Sequence, residues 1–153
     1  MKLIRVSDLF EVKYGSNLEL NKLERDPAGI NFVSRTERNN GVSAKVKRID
    51  KEPIEAGVLT VAGGGSVLET FVQPEPFYSG RDLYYLKPLI EMNLNEKLYY
   101  CMCIRANKYR FNYGRQANRT LKDILIPDKT EIPDWIVASL PTIIIDWKNR
   151  LEM

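Results

Sequence analysis

The sequence predicts an α+β domain in which helices pack on a twisted, antiparallel and partly barrel-like β-sheet. Between residues 30 and 87, short runs rich in β-branched and aromatic residues alternate with Gly, Pro and Asn, as in sheets of short antiparallel strands. From Leu94 to about Tyr109, apolar residues recur at spacings of three and four, which predicts an amphipathic helix on that sheet. At 153 residues, 44% hydrophobic and 28% charged, the chain has the size and composition of one folded domain.

The N-terminal third is predicted to hold a helix, an irregular segment and a hairpin. Ser7, followed by Asp8, begins a short capped helix, and residues 13–15 (Lys-Tyr-Gly) turn the chain out of it. The polar segment through Asp26 and Pro27 is expected to be irregular. Strands are predicted at 30–34 and 44–49, and Asn39-Asn40-Gly41 supplies residues that tolerate positive φ in the turn between them.

Further strands are predicted at residues 58–62, 66–73, 77–79 and 83–87. Gly63-Gly64-Gly65-Ser66 lacks the Lys-Ser/Thr of a nucleotide-binding loop and is interpreted as a tight strand connection. Aromatic residues in these strands are expected to be core residues or cross-strand pairs, with only a minority exposed. This set comprises Phe71, Phe77, Tyr78, Tyr84 and Tyr85.

The C-terminal part is predicted to be largely helical. The helix over 94–109 turns its apolar residues Leu94, Leu98, Cys101, Met102 and Ile104 toward the sheet. Thr120 and Asp123 predict a capped turn that leads to residues 124–127, and a helix over 135–150 is kinked or split by Pro141. We therefore divide the chain into a domain at 1–130 and a helical segment at 131–153, which is available for dimerisation or partner contact.

Cysteine spacing and hydropathy point to a cytoplasmic protein. Cys101 and Cys103 are two apart in a predicted helix, so they face different directions and are expected to be reduced thiols. The N-terminus has no apolar stretch of signal-peptide length, and no apolar run is long enough to span a membrane.

Charge is segregated into two basic blocks. Residues 35–48 carry five basic side chains against Glu37 alone, and residues 101–122 carry six with no acidic one. The intervening residues 51–100 are net acidic, with four basic and seven acidic side chains. Because the net charge of +3 is a weak indication by itself, this distribution carries the argument for a nucleic-acid partner.

The basic blocks contain the side-chain types that read DNA. Arginine pairs with guanine, Asn and Gln pair with adenine, and Lys or Arg neutralises phosphate. The alternative for residues 108–119 is a solvated helix end with a polar loop, and the alternative for the hairpin is turn geometry alone. The candidate DNA contacts are Lys13, Tyr14, Arg35, Thr36, Arg38, Asn39, Asn40, Lys108, Arg110, Tyr113, Arg115, Gln116, Asn118, Arg119 and Lys122.

Three stretches together resemble the target-recognition domain of Type I restriction-modification specificity subunits. They are VSDLFEVKYG (6–15), GVLTVAGGGSVLETFVQPEPFYSGRDLYYLKP (57–88) and RFNYGRQANRTLKDILIP (110–127), and the likeness extends over residues 3–127. The resemblance implies sequence-specific binding to double-stranded DNA, which directs separate methyltransferase and restriction subunits to a site. A complete specificity subunit resembles two such domains separated by paired helices. The chain is therefore expected to be a half-size subunit that dimerises, or the recognition domain of a fused methyltransferase.

The chain carries no recognisable catalytic constellation. It has no histidine, which excludes Ser-His, Cys-His and His-metal chemistry, and no glycine-rich cofactor loop. We expect no enzyme activity, no cofactor and no metal. One rival is a protein-interaction module, indicated by the apolar C-terminal residues Trp135, Ile136, Leu140, Ile143, Ile144, Ile145 and Trp147. A magnesium-dependent nuclease built from Asp82, Glu91, Glu96 and Lys97 is the least favoured alternative.

Overall fold

A computed structural model of the chain describes residues 1–108 and 120–136. Two complete α-helices and nine strands lie in these residues, together with 3₁₀ turns at Leu20–Lys22, Asn39–Gly41, Leu121–Asp123 and Lys129–Glu131. In chain order the elements are β1 (Leu3–Arg5), α1 (Val6–Leu9), β2 (Phe10–Tyr14), β3 (Arg25–Val33), β4 (Val42–Val46), β5 (Leu59–Ala62), β6 (Thr70–Val72), β7 (Phe77–Ser79), β8 (Leu83–Pro88), α2 (Leu94–Arg105) and β9 (Leu125–Pro127).

The described strands form three sheets, which confirms the predicted α+β class. The largest has the order β2-β8-β5-β6, a second has the order β4-β3-β7, and β1 pairs with β9. All pairs are antiparallel except β3 with β7, where Phe32 lies opposite Tyr78 in a parallel register. None of these sheets closes into a barrel within the described residues, so the barrel-like character remains partial.

The N-terminal elements differ from the prediction. Helix α1 begins at Val6, and the Arg5 amide donates to the Asp8 carboxylate at 2.9 Å, so Ser7 lies inside the first turn and is not the cap. Lys13 and Tyr14 belong to strand β2, opposite Tyr85 and Tyr84 of β8, and do not form a turn. A strand is stabilised here because it completes the edge of the largest sheet.

Strand lengths also depend on neighbours that the local sequence does not show. β3 begins at Arg25, well before residue 30, because a bulge lets both Arg25 and Ile30 pair with Val46. β6 covers only Thr70–Val72 of the predicted 66–73, since the preceding residues are used in the connection from β5. The strands predicted at 58–62, 77–79 and 83–87 are confirmed within a residue at each end.

Helix α2 packs on β6 and β9 and contributes to the main core. Tyr100, Cys101 and Ile104 are buried there, and the Tyr100 ring meets Phe10 edge to face with centroids 5.6 Å apart. The predicted apolar face is wrong at Leu94, which is 56% exposed, because Asn95 and Glu96 occupy the buried positions of the first turn. Met102 is also exposed, and the helix ends at Arg105, before the predicted Tyr109.

The cysteines and aromatic residues follow the prediction. Cys101 and Cys103 are free, and burial raises the pKa of the Cys101 thiol to about 12. Phe77 and Tyr78 are fully buried, while the other three strand aromatics are partly buried. The Tyr78 hydroxyl donates to the Lys51 carbonyl at 2.7 Å, so this buried phenol is satisfied.

Of the predicted C-terminal segment, the structure describes only residues 131–136. Thr120 precedes the Leu121–Asp123 turn, but its side chain makes no capping hydrogen bond. Residues 134–136 are helical, with Ile136 buried in the main core and Trp135 63% exposed. The kink predicted at Pro141 lies outside the described residues. None of the helices in the described part of the chain is long and apolar enough to cross a membrane.

Candidate nucleic-acid interface

The turn between β3 and β4 has the backbone geometry that its sequence predicts. Asn39, Asn40 and Gly41 all have positive φ, at 50°, 56° and 81°. The Asn39 side-chain amide donates to the Val42 carbonyl at 3.0 Å, and the Asn40 amide donates to the Val72 carbonyl at 2.9 Å. Both asparagine side chains therefore hold the backbone. The second of these bonds ties the hairpin to the edge strand β6.

Residues 63–69 form the predicted tight connection between β5 and β6, and Arg35 lies against it. The Ser66 amide donates to the Arg35 carbonyl at 3.5 Å. A Cβ atom at Gly64 would come within 2.8 Å of Arg35 Nη1, and one at Gly65 within 3.0 Å of Arg35 Cβ. Gly65 also has a φ of +59°, which disfavours any side chain. The glycines thus allow the arginine to lie directly on the backbone of the connection.

A second set of contacts joins Arg35 to the turn between β7 and β8. Arg35 Nη1 donates to Asp82 Oδ2 at 3.2 Å, and both side chains are largely buried. The Asp82 amide donates to the Tyr14 hydroxyl at 2.7 Å, and its carbonyl accepts from the Gly63 amide at 2.7 Å. Asp82 therefore links the end of β2, the hairpin and the glycine-rich connection.

The second basic block reaches the same place from the end of α2. The Lys108 ammonium forms an ion pair with the Glu69 carboxylate, and Arg105 Nη1 donates to the Thr70 carbonyl at 2.8 Å. Residues 35–41, 63–69, 80–82, Tyr14 and Lys108 consequently meet at one end of the domain. We call this region the glycine end. Residues 109–119, which follow Lys108 in the sequence, lie outside the described residues.

The structure brings some of the predicted contacts together and leaves others apart. Those at the glycine end are Tyr14, Arg35, Thr36, Arg38, Asn39, Asn40 and Lys108. Lys13 points to the opposite face of β2 from Tyr14, and its ammonium lies 3.4 Å from Glu11. Lys122 is exposed on the Leu121–Asp123 turn, which packs against α1. The candidates Arg110, Tyr113, Arg115, Gln116, Asn118 and Arg119 lie outside the described residues.

The cations at the glycine end fall into two groups. Arg35 and Lys108 have carboxylate partners, so part of their charge is already neutralised. Arg38 and Arg81 are exposed, and within residues 1–108 and 120–136 no carboxylate lies within 4.0 Å of either guanidinium. These two side chains are available to an anionic ligand without breaking an ion pair.

Arg81 was missed by the sequence analysis. It lines a pocket of about 290 Å³ with Arg35 and Ser34, over a floor that includes Leu18 and Phe32. Its charge was obscured because it lies within the net acidic stretch 51–100. The sequence could have indicated Arg81 through its position between Gly80 and Asp82, because these residues favour a turn, where a side chain projects from the sheet.

Two of the three carboxylates considered for a nuclease, those of Glu96 and Asp82, have other partners. Glu96 accepts from the Asn93 amide at 3.1 Å in the cap of α2 and lies 3.4 Å from the Lys129 ammonium. Asp82 pairs with Arg35, as described above. In the described part of the chain, no group of three or more Cys, Asp or Glu side chains is arranged to hold a metal ion.

Solved structures with this fold come from restriction-modification systems. The chain aligns with the S subunit of a Type I system from M. genitalium at a TM-score of 0.69 and 20% identity, covering 99% of this chain and 40% of that one. The HsdS subunit from Thermoanaerobacter tengcongensis aligns at a TM-score of 0.64 and 17% identity, covering 95% of this chain and 37% of that one. At these identities the likeness shows the fold.

Sequence comparison agrees with the structural likeness. The specificity subunit S.BcgI of a Type II restriction enzyme from Heyndrickxia coagulans is 33% identical over 134 residues, which cover 85% of this chain and 39% of that protein. The chain thus spans about two fifths of the length of the relatives it matches. The model of the Type I restriction modification DNA specificity domain matches residues 1–133. The chain belongs to the family of Type I restriction modification DNA specificity domains.

Proposed function

We propose that this chain binds double-stranded DNA at a specific sequence and acts as a recognition half of a restriction-modification specificity subunit, without chemistry of its own. The observation that carries the proposal is that Arg35 and Arg38 of the first basic block lie at the glycine end together with Lys108 of the second. The two blocks are separated by a net acidic stretch of sequence, yet Arg35 and Lys108 both contact residues 63–69 or their neighbours. A continuous basic surface is what the phosphate backbone of DNA requires.

The roles within this surface follow from how firmly each side chain is held. Base reading needs a side chain in one orientation, whereas a phosphate contact tolerates a flexible cation. Arg35 is held by Asp82 and suits the first role, while the free side chains of Arg38 and Arg81 suit the second. The loop from Tyr113 to Arg119 remains a candidate reader of base edges.

Salt dependence tests the binding proposal directly. A labelled duplex pool is titrated with the chain at about 50 to 200 mM salt, and affinity should fall steeply because each neutralised phosphate releases counterions. Selection from a random duplex pool then gives the preferred sequence. Binding that is absent at low salt, or that is insensitive to salt, would contradict the proposal.

Two substitutions test the division between reading and anchoring. Arg115→Ala should relax base preference, because a lost base contact affects only the sequences that offer that base. Arg38→Ala should weaken binding to all sequences about equally. Equal effects of the two substitutions on the preferred and scrambled duplexes would remove this division of labour.

The length of the relatives indicates that the chain works in a larger assembly. Because the chain spans about two fifths of them, we infer that it works with a second recognition half, supplied by another copy or by more of the same protein. Methyltransferase and restriction subunits are the expected partners, and one solved relative is described in terms of complex assembly of the Type I system. Light scattering on the purified chain, alone and with a methyltransferase subunit, measures both associations.

A protein-interaction role is supported by one further observation. An apolar groove of about 320 Å³ lies between β6 and α2 and is lined by Phe71, Pro74, Leu94 and Leu98, among others. Such a groove on a small domain suits contact with a partner subunit. Leu94→Glu should then weaken capture of the methyltransferase subunit while duplex binding stays unchanged. Loss of both would indicate a folding defect, which circular dichroism detects.

A further inference from the structure

Asp82 occupies a left-handed backbone conformation. Its φ is +53°, in the region that Gly, Asn and Asp populate more often than other residues. The backbone amide of Asp82 donates to Tyr14 and its carbonyl accepts from Gly63. Glycine or asparagine at position 82 would make the same two contacts. The backbone contacts of the turn therefore do not require a carboxylate. Its observed partner is the Arg35 guanidinium, 3.2 Å away.

Arg35 is restrained from two sides. Its guanidinium lies along the backbone at Gly64 and Gly65, and Asp82 accepts from Nη1. Its side chain is 27% exposed and lines the pocket that it shares with Arg81. Arginine has five N–H donors, and the contact with Asp82 leaves others available to an acceptor on DNA.

We propose that Asp82 is a positioning residue for DNA reading: it fixes the Arg35 guanidinium so that its remaining donors meet a base edge. This inference rests on the proposed DNA-binding function. In this proposal Asp82 acts through Arg35 and not by a DNA contact of its own. Because Asp82 already holds Arg35, the arginine side chain loses less conformational entropy when DNA binds. For one long side chain this entropy loss corresponds to about 2- to 10-fold in affinity.

Asp82→Asn is the most informative substitution. Asparagine tolerates positive φ and keeps both backbone contacts, so the fold and the melting temperature should be retained. The charge is lost, and with it the restraint on Arg35. We expect discrimination between the selected duplex and a scrambled duplex of equal composition to fall about 2- to 10-fold. Affinity for the scrambled duplex should stay equal or rise, since the surface becomes more positive.

A double-mutant cycle separates positioning from a general effect. Arg35→Ala should reduce discrimination about 5- to 150-fold, as expected for loss of a good contact to one base. If Asp82 acts through Arg35, adding Asp82→Asn to Arg35→Ala should change discrimination less than 2-fold. Glu24→Gln is the matched control: it removes a carboxylate that pairs with Lys47 at 4.0 Å, at the other end of the β3–β4 hairpin, and should leave discrimination unchanged.

The outcomes are distinguishable. Additive effects in the cycle, or unchanged discrimination in Asp82→Asn with a normal melting temperature, overturn the positioning role. A lower melting temperature with equal weakening of both duplexes assigns Asp82 to the fold instead and also overturns it. Higher discrimination in Asp82→Asn would make Asp82 a competitor for Arg35, again against the proposal. A wild-type chain that binds no duplex contradicts the proposed function itself.

Discussion

Replacing Asn40 separates a base-reading role from a structural one. Asn40 was predicted to contact DNA, but its side-chain amide donates to the Val72 carbonyl at 2.9 Å and its φ is 56°. Asn40→Ala loses that hydrogen bond, at about 1 kcal/mol, and places alanine, which tolerates the left-handed region less well than asparagine, at this position, at about 1 kcal/mol more. The expected loss of unfolding free energy is about 2 kcal/mol, or a fall in melting temperature of about 4 to 8 °C.

Asn40→Gly provides the matched comparison. Glycine also loses the hydrogen bond to Val72 but has no penalty at positive φ, so it should be about 1 kcal/mol more stable than the alanine variant. Urea unfolding followed by circular dichroism measures both differences. Neither variant should change the preferred DNA sequence. If both variants are as stable as wild type while base preference shifts at one position, Asn40 reads DNA and the structural argument is refuted.

Three further predictions concern charge, a buried phenol and a buried thiol. Arg81→Ala should weaken binding to all duplexes and reduce the salt slope by about 1, whereas Arg25→Ala, at the opposite end of the hairpin, should not; equal slopes would contradict this. Tyr78→Phe leaves the Lys51 carbonyl without its donor and should reduce the unfolding free energy by about 1–3 kcal/mol in urea. Burial raises the pKa of Cys101 to about 12, so its neutral thiol supports folding fully below pH about 9, and this contribution is lost as the pH rises toward 12. Iodoacetamide should label Cys101 at pH 7 only after denaturant is added, and rapid labelling of the folded chain would contradict the burial.

Local patterns predicted the elements that local energetics control. Asn39-Asn40-Gly41 supplies a positive-φ turn wherever it occurs between two strands, and the structure has it there. The glycine-rich residues 63–66 were likewise interpreted as a strand connection on local grounds. Such features depend on the conformational preferences of a few neighbouring residues, which the sequence contains completely.

Features that depend on a packing partner were predicted less well. Leu94 belongs to the apolar period of α2, yet it is exposed because β6 and β9 cover a different part of that helix. Tyr14 was assigned to a turn, yet it pairs with Tyr84 at the edge of the largest sheet. In both cases the decisive contact comes from a distant part of the chain, and periodicity alone carries no information about it.

The order of the amino acids alone shows which chemistry this chain has available: two basic blocks with amide side chains, and no histidine with which to build common catalytic sites. These are properties of composition and order, and they do not depend on the fold. The fold shows that Arg35 and Arg38 lie at the glycine end with Lys108, that Lys13 and Lys122 lie apart from it, and that Asp82 holds Arg35. That ion pair joins residues 47 apart in sequence. Coulomb and hydrogen-bond energies depend on distances of a few ångströms, and for residues so far apart these distances are set by the fold.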